Sequence, residues 1–249
     1  MNAKSPRSAE TRPISGDAGL VRPLTTVDVV IFTVLDGALQ VLLVQRPPSA
    51  DEPFPGCWAL PGGFVDVARD ATLLACARRK LKEKAGVTSP YLEQLGSWGG
   101  RDRDPRGWSA THVYFALVPA SDLRPIKGGN AADVTWAHVD VVLGRSGMAF
   151  DHSELLEAAV SRLRSKVEYT SLPAYLLPEP FTLPQLQRTY EVILGRPVDK
   201  SGFRTRTLAA DFLAEVGVVE GESNRSAVAY RLRDRALVVT FPRTFSPRG

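Results

Sequence analysis

Residues 60–87 read LPGGFVDVARDATLLACARRKLKEKAGV. The first part is turn chemistry, dense in Pro and Gly. The second is a helix: Leu74, Ala77, Leu81 and Ala85 recur at helical spacing, and Gly86 stands where it would end. The polar face of that helix decides what the stretch can do. Positions 80, 83 and 84 are spaced i, i+3 and i+4 and share one face. They hold Lys80, Glu83 and Lys84. Two ammonium groups on one face repel a divalent cation and attract anions.

Working outward, TTVDVVIFTVL, the turn signal DGAL and QVLLVQRP read as a β-hairpin, and PSADEPFPGCWALPGG as a loop. THVYFALVPA and DVTWAHVDVVL add strands. FDHSELLEAAVSRLRSKV is a helix with acidic residues first and basic residues last, as its dipole prefers. Residues 21–168 are therefore expected to form a mixed α/β domain. EYTSLPAYLLPEPF breaks the pattern with three prolines and reads as a linker over 169–180. In TLPQLQRTYEVILG, Thr182 is a cap, Pro184 suits the first turn and Gly195 ends the helix. DKSGFRTRTLAADFLAEVG reads as a second helix and VVEGESNRSAVAYRLR as a β-ribbon with a polar turn. Helix, turn, helix and ribbon outline a winged helix-turn-helix over 181–235. Residues 1–20 read as a disordered tail and 236–249 as a C-terminal tail with room for a strand.

The chain has 249 residues, enough for one large domain or two smaller ones, and a formal charge of +4 that permits phosphate or nucleic-acid partners without demanding them. Cys57 and Cys76 fit no metal-ligand spacing or disulfide framework and read as free thiols of a reducing compartment, which points to the cytoplasm. No stretch approaches the roughly 20 apolar residues of a membrane span, and the N-terminus lacks the apolar core of a signal peptide.

The stretch WALPGGFVD, followed by a helix ending RRKLKEKAGV, resembles the Nudix family, whose pattern is Gly, five residues, Glu, seven residues, Arg-Glu-U-x-Glu-Glu-x-Gly-U with U aliphatic. Gly63, Arg79, Leu81, Glu83 and Gly86-Val87 match it. The resemblance implies an α/β/α sandwich around a mixed sheet. The family's Glu after the Arg is here Lys80, and the second of its paired Glu is Lys84. The earlier Glu falls near Arg69 to Ala71, with about one residue too many in the spacer. In Nudix hydrolases these carboxylates hold divalent metal against a diphosphate. Here no catalytic residue and no metal site are assigned; Asp66, Asp70 and Glu83 are the residual candidates, and Mg²⁺ would be needed only if hydrolysis remains. The expected ligand set is Gly62, Gly63 and Arg79 around Lys80, Glu83 and Lys84. Arg46 adds a planar fork for phosphate, Phe64 a face for a base, and Arg106 and Trp108 charge and stacking surface. Trp58 and Trp108 suit a core as well as a ligand. His152 reads as a structural residue near a helix start, with Asp151 its cap.

The order of the whole chain, with RDPRGW, AFDH, EPFTLPQLQRTYEVILG and SGFRTR, is similar to the Nudix-related transcriptional regulators of NAD metabolism. That resemblance implies a homodimeric repressor of NAD-metabolism genes, bound to a double-stranded operator and released by ADP-ribose or a related nucleotide. For the second helix, Lys200 and Arg204 share a face, with Arg204 expected in the major groove and Ser201 on a phosphate. Arg206 lies about 200° around from Arg204 and suits a phosphate or an internal acid. Asn224, Arg225 and Ser226 would form the wing tip, supported by Tyr230 and Arg231. Residues 181–235 hold nine basic and seven acidic side chains, so charge alone does not establish DNA binding. Two further readings stay open: an active Nudix hydrolase of the ADP-ribose pyrophosphatase type, and a related regulator that senses another ligand such as a sugar.

Overall fold

The computed structural model describes residues 22–86, 91–123, 132–145, 147–220 and 226–245. The tail expected over 1–20 lies outside them, as do Asn224 and Arg225.

The hairpin forms as the sequence predicts. Strands β1 (Leu24–Leu35) and β2 (Ala38–Gln45) pair antiparallel with Leu35 opposite Ala38. The turn residues Asp36 and Gly37 both have positive φ (52° and 72°), as a two-residue hairpin turn requires. Strands β3 (Trp58–Ala59) and β4 (Gly62–Phe64) are short and pair with β2 and β1. The helix read from the opening stretch is α1 (Leu73–Ala85), capped by the Thr72 side chain at its start and by Gly86 in the left-handed conformation at its end. Strand β5 (Tyr91–Gly100) follows, then β6 (Ser109–Leu117), which runs parallel to β1 and makes the sheet mixed. Strand β7 (Asp133–His138) pairs with β2 and leads into the short helix α2 (Val139–Leu143).

Alternation along β1 builds two cores. Val27, Val29 and Ile31 point to one face, where α1 covers them with Cys76, Ala77, Leu81 and Ala85. Val30 and Phe32 point to the other, covered by α3 (His152–Val167) through Leu155, Leu156, Ala159 and Leu163. The result is a helix on each face of a seven-stranded mixed sheet, the α/β/α sandwich expected.

After α3 come the short strand β8 (Phe181–Thr182), α4 (Leu183–Leu194), α5 (Lys200–Ala209), and the ribbon β9 (Leu213–Glu220) and β10 (Ser226–Leu232). Thr182 caps α4 and Gly195 closes it, as read from the sequence, and the Gln185 side chain completes the cap by accepting from the Thr182 N–H. Helix, turn, helix and ribbon make a winged helix, with β8 pairing beside β10.

Three expectations are corrected. Residues 169–180 are no open linker: Thr170 to Leu176 are buried, with a 3₁₀ turn over Leu172–Leu176. Their apolar side chains fill the space between α3 and α4, so the prolines shape a packed segment. The second helix does not run on to Gly217. It stops at Ala209, and Asp211 takes a positive φ (50°) before β9 begins. Nor are residues 236–245 a loose tail. Phe241 and Phe245 are buried, and their backbone N–H groups donate to the carbonyls of Tyr169 (2.7 Å) and Glu168 (2.8 Å). The α3 face of the sheet, the 3₁₀ segment, α4, α5 and this C-terminal segment thus form one continuous core.

Candidate functional site

Between the Gly62–Phe64 strand, α1 and the start of α3 lies a cavity of about 440 Å³. It brings together Arg46, Gly62, Gly63, Phe64, Arg79, Lys80, Lys84 and Arg106 from the expected ligand set, and Asp66 from the residual catalytic candidates. Its floor depends on Gly62. A Cβ there would lie 1.8 Å from Asp28 Oδ1 and 2.9 Å from the Val27 carbonyl oxygen, so only glycine permits this approach of β4 to β1. At Gly63 (φ 139°), a Cβ would lie 2.8 Å from the Lys80 Nζ, so the ammonium is seated directly against the Gly-rich turn.

The cationic face of α1 enters this cavity through Lys80 and Lys84. Lys84 is buried, and burial, reinforced by Lys80, pushes its ammonium below the ordinary value despite the opposing pull of Glu83. Of the residual catalytic candidates, Asp70 and Glu83 are paired with arginine and only Asp66 lines the cavity. Asp70 accepts from Arg79 Nε (2.7 Å) and Nη2, and this pair holds its carboxyl well below the usual range. Glu83 faces Arg79 (3.3 Å) and Arg69 (3.6 Å) and does not line the cavity. Asp66 Oδ1 accepts from the Ala68 N–H at 3.0 Å. Among the described residues, no group of three or more His, Cys, Asp or Glu is gathered where it could hold a metal ion. A divalent cation of the Nudix kind needs several convergent carboxylates, and this donor set does not fit one.

The cavity rim pairs arginines with aromatic rings. Arg46 lies 4.9 Å from the Phe150 centroid and donates to Glu52 (2.6 Å) and the Pro53 carbonyl (2.6 Å). Arg106 lies 5.0 Å from the Phe64 centroid and is held by both oxygens of Asp104 (3.0 and 2.8 Å). Phe64 is 45% exposed, which leaves ring surface for a planar ligand. Trp108 does not line the cavity; it packs beside Gly99, half exposed.

Asp28, Glu52, Arg103, Asp104, Phe150 and His152 also line the cavity and were not read as ligand residues. His152 is buried as expected of a structural residue, yet it faces the cavity: its Nδ1 accepts from the Leu60 N–H (2.9 Å) and its Nε2 lies 3.9 Å from Asp28. Burial pushes the imidazole below its ordinary value, so the neutral ring carries its proton on Nε2. Asp28 in turn accepts from the Thr111 hydroxyl (2.7 Å). Asp151 forms no side-chain cap; it binds Arg103 through both carboxylate oxygens (2.8 and 2.7 Å).

On α5, Phe203 and Thr207 are buried and fix the orientation. At 3.6 residues per turn, Thr205 points about 200° from Phe203, with Ser201 and Leu208 beside it. This outward face is exposed, and Lys200 and Arg204 flank it on one side. Thr205 and Leu208 were not singled out from the sequence. Arg206 is corrected: its Nη1 donates to the Thr244 carbonyl (2.6 Å) and its guanidinium lies 4.4 Å from the Phe245 centroid, so it holds the C-terminal segment. In the ribbon, Ser226 pairs opposite Glu220 and is exposed next to the tip, while Tyr230 is buried beside Glu215.

Residues 24–159 match the NUDIX domain and residues 173–232 the NrtR DNA-binding winged helix domain. The ADPR responsive transcriptional repressor NtrR of Acinetobacter baylyi is 43% identical over 221 residues, covering 89% of this chain and 86% of that protein. The crystal structure of Shewanella oneidensis NrtR complexed with a 27mer DNA is 43% identical with a TM-score of 0.80, over 88% of this chain and 98% of that one. The NUDIX domain of the same protein complexed with ADP ribose is 44% identical with a TM-score of 0.52, over 58% of this chain and 90% of that one.

Proposed function

The chain belongs to the NrtR family, a NUDIX domain joined to a winged helix, and on that premise we propose that it is an ADP-ribose-responsive transcriptional repressor of NAD-metabolism genes. One observation carries the sensing role: Lys80 and Lys84 occupy the cavity where the Nudix pattern has metal-binding glutamates. The domain therefore binds the diphosphate through ammonium groups and does not cleave it. Phe64, with Arg106 over its ring, offers a stacking face for the adenine. Asp28, Glu52 and Asp104 supply acceptors for ribose hydroxyls.

Release of DNA follows from how the two domains are joined. His152, in the first turn of α3, lines the cavity. At the other end of this 16-residue helix, about 24 Å away, Glu168 accepts from Arg196 Nη2 (2.6 and 2.8 Å) just after α4. Arg164 of α3 also donates to the Ile193 carbonyl (3.1 Å). A ligand that shifts the cavity end of α3 moves the reader as one body. In a cytoplasmic homodimer on a palindromic operator, a small rotation misaligns two recognition helices that must enter successive major grooves.

The test combines chromatography and binding. ADP-ribose incubated with protein and Mg²⁺ or Mn²⁺ should remain intact while calorimetry registers binding. Operator DNA should weaken ADP-ribose binding by the same factor as ADP-ribose weakens DNA binding. Production of AMP and ribose 5-phosphate would replace this reading with a hydrolase; equal ADP-ribose affinity with and without operator would remove the release mechanism.

A further inference from the structure

We propose that Arg243, in the C-terminal segment, is a DNA-backbone contact that grips the phosphate strand across α5 from Arg204; the inference rests on the repressor reading above. A helix seated in the major groove runs between two phosphate walls about 12 Å apart. On α5 only one flank carries exposed cations, Lys200 and Arg204. The opposite flank is formed by Gly202, Arg206 and Ala209. Gly202 and Ala209 bear no charge, and Arg206 is turned to the Thr244 carbonyl and the Phe245 ring. The C-terminal segment fills this side. Pro242 and Arg243 line a groove of about 460 Å³ together with Ser201 and Thr205, which belong to the outward face of α5. Arg243 is exposed there, between Phe241 and Phe245, whose burial fixes the segment. The fold thus brings a guanidinium from the end of the chain to the side of the recognition helix that lacks one. Arg206 is a positioning residue for it.

The experiment is fluorescence anisotropy of the full chain with a labelled duplex from the region upstream of its own coding sequence, titrated with salt. Each lost phosphate contact lowers the slope of log K against log salt by about 0.9, or roughly eightfold in affinity near 0.1 M salt. Arg243→Ala should show both changes with ADP-ribose affinity unaltered, and Arg243→Lys should restore the slope. If Arg243→Ala keeps the wild-type slope and affinity while Arg204→Ala loses them, Arg243 makes no such contact and the repressor reading stands. If the wild-type chain binds no duplex at low salt, both fall together.

Discussion

Replacing Lys84 by Met keeps most of the stem's volume and removes only the charge. If Lys84 holds a diphosphate oxygen, the loss can be bracketed. Two unit charges 4 Å apart attract by about 1 kcal/mol in bulk water and about 4 kcal/mol at the effective dielectric of a protein surface. Lys84 is buried and its ammonium is already partly desolvated without ligand, so the interaction lies toward the second figure. A charge-assisted hydrogen bond contributes about 1.5–3 kcal/mol net. A loss of about 2–3 kcal/mol follows, or roughly 30- to 150-fold in Kd for ADP-ribose. The pH dependence has a definite sign. The diphosphate binds the charged form, and burial has lowered the pKa of that form. Wild-type affinity is therefore full below the lowered value and falls as pH rises through it, before the ordinary lysine value of 10.5 is reached. Isothermal titration calorimetry across the alkaline range, with melting curves to confirm the fold, measures both effects. A folded Lys84→Met variant with wild-type affinity and the same pH profile would refute the assignment of α1 as a phosphate-recognition helix.

Gly62→Ala places a Cβ 1.8 Å from Asp28 Oδ1, so denaturant unfolding should show a loss of about 1–3 kcal/mol and calorimetry a loss of ADP-ribose binding; an unchanged midpoint would contradict the close approach of β4. Arg79 lowers the Asp70 pKa, so the stability this pair adds is present above the ordinary carboxylate value of 3.8 and is lost as pH falls through the lowered value. Asp70→Asn should therefore be less stable by about 2 kcal/mol near neutrality, and urea titrations should show the gap closing in acid; a gap independent of pH would mean the pair is not the cause. Arg206→Ala should cost about 1–2 kcal/mol of stability and, by releasing the segment that carries Arg243, lower the salt slope on its own but not further in an Arg243→Ala background; an additional drop of about 0.9 in the double variant would make Arg206 a direct phosphate contact.

Local rules made much of this legible. Asp36-Gly37, Gly86, Thr182 and Gly195 announce their turn and caps through backbone chemistry confined to a few residues. The α1 cations were legible because helical spacing places side chains without knowledge of the rest of the fold. What failed depends on distant partners. Strand β5, YLEQLGSWGG, has too many glycines and too little alternation to stand out, and its pairing with β6 makes it a strand. Three prolines suggested a linker, yet Leu172, Tyr175 and Leu176 find a core supplied by α3 and α4. His152 and Asp28 are 124 positions apart, so only the folded sheet brings them to one cavity. Arg206 read as the holder of a phosphate or an internal acid because the carbonyl and the ring that claim it lie 38 and 39 residues on, in a segment with no periodicity to mark its docking.

The buried 3₁₀ segment also limits how this protein can be recombined. Because Thr170 to Leu176 lie inside the core that both domains share, the reader is not a cartridge that can be detached and grafted onto another sensor at that point. A junction there would strand Tyr175, whose hydroxyl donates to the carbonyls of Arg235 (3.0 Å) and Leu237 (3.1 Å), and Tyr190, whose hydroxyl donates to that of Thr170 (2.6 Å). Chimeras that exchange ligand specificity while keeping the operator must carry α3 and everything after it as a block and replace the sheet face beneath it.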